Sequence, residues 1–158
     1  MTGSEGPRPN RLPWPPMLLA IAALAAIGLG VVLPLPLPRS ELVVWTGYVL
    51  VALGFSGDVW AILTMRAART NVLPHRAADR LVTWGPFRFS RNPIYLANTL
   101  LLTGIGLAVG NGWFVPLALL MAVLVDRLAI RREERHLAIR FGNAWIEYAS
   151  MTPRWLIR

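Results

Sequence analysis

Between Leu42 and Met65 the chain runs for 24 residues with a single charged side chain, Asp58. A stretch of that length and character matches the hydrocarbon thickness of a bilayer once it is helical. In lipid the backbone has no water to bond, so a helix that satisfies its own N–H and C=O groups is the local solution. Asp58 falls about 10 Å from the Met65 end at the helical rise. An acid at that depth is costly unless it is paired, protonated or facing a wet cavity. Arg66 and Arg69 are near enough along the chain to be expected as its partners, with the carboxylate snorkelling to the interface.

Three more apolar segments accompany it. Met17–Leu33 is uncharged and continues through a proline run, PLPLP, that is no small-residue cleavage site, giving a first span of about 17–37. The second is 42–65. Segments 94–109 and 113–130 follow, separated by Gly110-Asn111-Gly112, a turn that predicts a tight antiparallel helical hairpin. Gly104 and Gly106 are expected to let the hairpin's helices approach closely. With 55% hydrophobic and 15% charged residues the chain is too apolar for an ordinary soluble domain. The fold class expected is an all-α integral membrane protein of four transmembrane helices, preceded by a polar, proline-rich tail (1–16). From Asp126 the pattern turns amphipathic, predicting a cytoplasmic helical extension over 126–150, with Gly142-Asn143 as a plausible C-cap.

Charge sets the orientation. The formal net charge is +8, and all the basic residues are arginines. Nearly all of them lie in the tail at 1–16, the loop after the second segment and the stretch after the fourth, so both termini are expected on the cytoplasmic side. Arginines flanking apolar spans fit anionic headgroups better than nucleic acid. The chain has no cysteine and only two histidines, His75 and His136, which argues against a disulfide framework, a thiolate nucleophile and a zinc site. Ser90 lies in no nucleophile-elbow context.

Two constellations carry possible chemistry. The loop over 70–93 leads into LVTWGPFRFSRNPIY, Leu81–Tyr95, which holds Arg88 and Arg91, follows directly on Arg80 and is interrupted by Gly85, Pro86 and Pro93. Prolines there prevent one continuous helix and leave backbone N–H groups, guanidinium groups and ring faces for a ligand. The second is Glu133-Glu134. Successive helical residues turn by about 100°, so at most one of them faces a shared pocket. The other is expected to pair with Arg131, Arg135 or Arg140. The hairpin brings the two constellations to one membrane face. A cationic, aromatic loop beside a carboxylate suits a ligand with both signs of charge and a flat ring, such as S-adenosylmethionine. Bland alternatives are an arginine-rich loop with interfacial aromatic anchors and a salt-bridged surface helix.

LVTWGPFRFSRNPIYLAN, followed by EERHLAIRFGNAWIEY, resembles the isoprenylcysteine carboxyl methyltransferase and phospholipid methyltransferase superfamily of membrane enzymes, over roughly residues 70–155. That resemblance implies a multi-span helical protein binding S-adenosylmethionine at its cytoplasmic face and methylating a lipidic or membrane-delivered acceptor (a carboxylate, amine or thiol). It places Asp79, Arg80, Leu81 and Val82 in a cofactor-binding stretch ahead of Gly85, and Phe87 where a cofactor-contacting tyrosine stands. Arg91, Asn92, Pro93, Ile94 and Tyr95 occupy the Arg-His-Pro-x-Tyr motif, Glu133 the first glutamate of a Glu-Glu pair. Glu133 and Glu134 are the candidate catalytic residues should the acceptor need a base. Asn92 departs from the motif's histidine, and Ala129 stands where the prenylcysteine enzymes place a substrate-binding arginine. Other readings of the chain are a non-catalytic four-span adaptor and a small transporter using Asp58. The partners expected are the lipid bilayer and a methyl acceptor, with no nucleic acid and no metal.

Overall fold

The computed structural model describes residues 14–70 and 80–156. These residues are organised by helices, with one isolated bridge between Pro36 and Asn111. Helix α1 covers Trp14–Val32 and α2 covers Glu41–Ala67; both are long and apolar enough to cross a membrane. Helices α3 (Pro93–Val109) and α4 (Phe114–Val125) are shorter, at 17 and 12 residues. By length and composition, two spans rather than four meet that standard among the described residues. α4 gains length in another way. A π-helical turn, Asp126–Ile130, joins it to α5 (Arg131–Phe141) without a break. Gly142, at φ +54°, ends α5, and α6 (Asn143–Met151) follows, so the extension expected over 126–150 is broken into two helices at Gly142.

α1 stops at Val32, short of the expected residue 37, because proline carries no N–H and disfavours helix at the residue before it. The alternating leucines of the run keep their backbone groups free for pairing. Leu37 N–H donates to Gly110 O at 3.2 Å, and Gly112 N–H donates to Leu35 O at 2.7 Å. Side chains lock the same end: Asn111 Nδ2 donates to Ala26 O at 2.9 Å, and Trp113 Nε1 donates to Leu33 O at 2.6 Å. The α3–α4 hairpin is therefore tied to α1 at the end of the molecule remote from the loop.

α2 starts at Ser40, whose hydroxyl accepts from the Val43 N–H at 3.3 Å. It packs along α3 through small residues. A Cβ on Gly54 would lie 2.7 Å from Ala97 O, and one on Gly104 would lie 2.7 Å from Gly47 O. Gly104 thus serves the α2–α3 contact rather than the hairpin, where Gly106 alone makes room, against Phe114. The core joins α1, α3, α4 and the π turn through Ala26, Leu102, Phe114, Ala118, Met121, Val125 and Ile130. Leu24, Val31, Leu53, Phe55 and Leu63 point outward, an apolar exterior suited to lipid.

Candidate active site

The loop enters the site through Gly85. Its φ of +63° lies in the left-handed region, and a Cβ there would meet Thr64 Oγ1 of α2 at 2.8 Å. Trp84 is extended, the 3-10 turn Gly85–Arg88 follows, and Phe89 turns its ring toward Trp60 of α2, with centroids 6.3 Å apart. Pro93 then occupies the first position of α3, where its missing N–H goes unneeded.

Between these points the loop is held by the C-terminal segment. Arg91 N–H donates to Pro153 O at 2.9 Å. Ser90 Oγ and Asn92 Nδ2 both donate to Arg154 O at 3.1 Å, and Ser90 Oγ accepts from Asn92 N–H at 3.1 Å. The Asn92 amide is thus a fastening to the C-terminal strap. From α6, Tyr148 OH donates to Phe87 O at 2.7 Å, and burial pushes its phenol well above the usual range, so it stays a donor. Trp145 lies beneath the Arg91 guanidinium, 5.7 Å from its ring centre.

Glu133 and Glu134 diverge as the 100° step per residue requires. Glu134 accepts from Arg91 Nη1 at 2.9 Å and from Arg154 through Nε at 3.1 Å and through Nη2. Arg154 also reaches Asp126 at 3.4 Å, and Asp126 takes Arg131 Nε at 2.8 Å. The pairing expected with Arg131, Arg135 or Arg140 is replaced by partners far away in sequence. Glu133 points the other way, into a cavity of about 300 Å³, within the usual range for ligand pockets. Much of its surface is open to that cavity, while protein closes round it at longer range. Its carboxyl is pushed up to about 7, first by burial and then by the neighbouring Glu134 charge.

The loop supplies Arg80, Leu81, Val82, Phe87, Arg91 and Asn92 to this cavity, and α3 supplies Pro93, Ile94 and Tyr95. With Glu133 they make up ten of the twelve expected cofactor residues. Gly85 does not line it, and Asp79, like His75, lies outside the described residues. Glu134 does not line it either; its carboxylate holds Arg91 in place from behind. Arg91 Nε is buried with no hydrogen-bond partner among the described residues. Asp58 is bonded to neither Arg66 nor Arg69, contrary to expectation, and its Oδ1 is buried without a partner. Ala129 is a core residue, 2% exposed. It packs into the core with Met121 and Val125 and does not line the cavity.

Residues 42–144 match a family model described as phospholipid methyltransferase. The chain belongs to this family. The match takes in α2, the loop, the hairpin and the Glu pair, hence every helix contributing to the cavity except α1 and most of α6. Two curated bacterial proteins are also similar. A cobalt-zinc-cadmium resistance protein, CzcN, of Cupriavidus metallidurans is 30% identical over 75% of this chain and 51% of its own length. A nickel-cobalt-cadmium resistance protein, NccN, of Alcaligenes xylosoxydans xylosoxydans is 28% identical over 72% of this chain and 53% of its own. The chain spans about half the length of the curated relatives it matches.

Some of the cavity's lining was not foreseen. Asn98 projects from α3 one turn beyond Ile94, and a polar amide within an apolar helix was the available signal. Pro15, Pro16 and Leu19 of α1, Ile62 and Met65 of α2, and Trp145 and Tyr148 of α6 are ordinary apolar or aromatic residues. Only the packing of their helices marks them.

Proposed function

We propose that this protein is an S-adenosylmethionine-dependent membrane methyltransferase acting on a lipidic or membrane-delivered acceptor. The supporting observation is one cavity in which the RNPIY motif and Glu133 meet, walled by apolar and aromatic side chains. The residues suit the cofactor's chemistry. The Glu133 carboxylate favours a cationic ligand group, the Arg91 side chain in the cavity wall offers positive charge to an anionic one, and Phe87 and Trp145 offer ring faces. Bound there, the cofactor would supply an electrophilic methyl group.

The chain's own contribution is positioning and exclusion of water. Glu134 and Arg154 hold Arg91 from outside the cavity, Tyr148 holds the loop at Phe87, and Glu133 presents its charge inward. Four spans with both termini cytoplasmic complete the reading, since arginine asymmetry supports that orientation. A part in metal resistance, which the relatives' names suggest, would on this reading run through a methylated membrane component. Calorimetric titration of the detergent-purified protein with S-adenosylmethionine tests the proposal. Saturable heat that is weakened in Glu133→Gln supports it, and a flat titration removes it.

A further inference from the structure

A second concavity lies on the far side of Glu134 from the cavity, an open groove between α5, α6 and the C-terminal strap. Arg131, Glu134, Arg135, Ala138, Trp145 and Arg154 line it. Trp145 lines the cavity as well, so one indole divides the two. The charges of the groove do not balance. Two carboxylates, Glu134 and Asp126, already serve Arg91, Arg131 and Arg154. Arg135 donates its Nε to Arg131 O at 3.1 Å, and no carboxylate meets its guanidinium among the described residues. Arg131 and Arg135 stand four residues apart on α5, which puts them on one face with Cβ atoms about 5–6 Å apart. The groove opens at the edge of the apolar core. Arg131 follows directly on the fully buried Ile130, and Trp155, next to Arg154, packs against the same core. Ile139, one turn past Arg135, and Leu156, just beyond Trp155, are 67% and 58% exposed. Apolar side chains left bare beside arginines suit a bilayer interface better than open water.

We infer that this groove is a headgroup site for an anionic phospholipid, whose phosphate sits among the Arg131, Arg135 and Arg154 guanidinium groups. Each guanidinium presents N–H groups in a planar fork that matches phosphate oxygens. The phosphate brings the negative charge that the local carboxylates do not supply, and Ile139 and Leu156 meet the start of the acyl chains. A free phosphate would use the arginines and leave those two side chains in water. The bound lipid is not the methyl acceptor, because Trp145 and Glu134 stand between the groove and the cavity. Occupation reaches the cavity through the strap. Arg154 holds Glu134, which holds Arg91, and the Pro153 and Arg154 carbonyls accept from Arg91 N–H, Ser90 and Asn92. Arg91 and Asn92 line the cavity. A phosphate bridging α5 to Arg154 therefore steadies that wall, so anionic lipid and cofactor bind cooperatively. This coupling rests on the methyltransferase reading, and the headgroup site itself does not.

The test offers phosphatidylglycerol and phosphatidylcholine together to the full-length protein in detergent and counts retained lipid by native mass spectrometry. Arg135→Gln is the informative variant, since Arg135 is exposed and bonded only to a carbonyl of its own helix. Expected is preferential retention of phosphatidylglycerol that weakens at least about tenfold in Arg135→Gln. Arg127→Gln should leave retention nearly unchanged, because Arg127 is exposed on the π turn outside the groove. Glycerol phosphate, which has the anion without acyl chains, should not displace the lipid. Equal retention of the two lipids, equal loss in the two variants, or displacement by glycerol phosphate overturns the site. The coupling is read by titrating S-adenosylmethionine into nanodiscs of phosphatidylcholine with and without phosphatidylglycerol. Affinity should rise at least about fivefold with the anionic lipid in the native protein and stay level in Arg135→Gln. An affinity indifferent to lipid in the native protein overturns the coupling. Cofactor binding in neither nanodisc would strike the methyltransferase reading instead, and lipid retention alone would then judge the headgroup site.

Discussion

Two adjacent glutamates do different work because the helix turns them apart, and the difference is measurable. Glu133 is pushed up to about 7 by burial and then by Glu134. Between its ordinary value and about 7, the folded protein binds more of this proton than the unfolded chain does. Stability contributed by the neutral carboxyl is therefore complete at low pH and lost as pH rises through about 7. Binding a cation there runs the opposite way, since the carboxylate must be ionised. Cofactor affinity is expected to rise with pH up to about 7 and then level off, with proton release below it, and Glu133→Gln should flatten both trends. Calorimetry in buffers of different ionisation heat reads the proton release directly. Glu134→Ala should act on folding. It strands Arg91 and leaves Arg154 only its 3.4 Å contact with Asp126; with side chains only 15% and 33% exposed, the cost is about 2–3 kcal/mol after allowance for their remaining access to water. Thermal unfolding in detergent should show that loss clearly, and none for Glu133→Ala above about pH 7, where burial and the Glu134 charge disfavour the ionised carboxylate.

At the scale of elements, the α2–α3 contact and the α6 fastening carry the site. A Cβ on Gly47 would lie 2.5 Å from Ala108 N and 2.8 Å from Gly104 O, both backbone atoms that cannot swing aside. Gly47→Ala should therefore destabilise by about 1–3 kcal/mol as an overpacking change. Gly28→Ala in α1 is the control, because nothing lies within 4 Å of its added methyl. It should be neutral or stabilise by up to about 1 kcal/mol through helix propensity. Tyr148→Phe removes the donor to Phe87 O and leaves that carbonyl to water, about 0.5–1.5 kcal/mol. Because Phe87 lines the cavity, the same variant should weaken cofactor binding, which a purely peripheral fastening would not do. Titration and melting of one preparation separate the two effects.

At the scale of the whole molecule, the proposed orientation predicts that reporters fused at Arg158 and within Gly110-Asn111 lie on opposite sides of the membrane. Finding them on one side would mean that the shorter helices α3 and α4 do not make a spanning hairpin. The all-helical class and the segments that become helices were readable in the chain, because apolar length, proline and glycine act locally on the backbone. The RNPIY and Glu-Glu motifs were readable too, since their residues are close in sequence and need no partner to be noticed. What only the tertiary structure decided is where side chains point. No sequence spacing relates Arg154 to Glu134, Asn92 to the Arg154 carbonyl, or Gly104 to Gly47. Ala129 belongs to the core with Ala118, Met121 and Val125, while Glu133 lines the cavity. Asp58 looked like a snorkelling acid while Arg66 and Arg69 were its nearest cations along the chain. Helix packing instead left its Oδ1 buried and unpartnered, because burial and register are properties of pairs of helices and not of one.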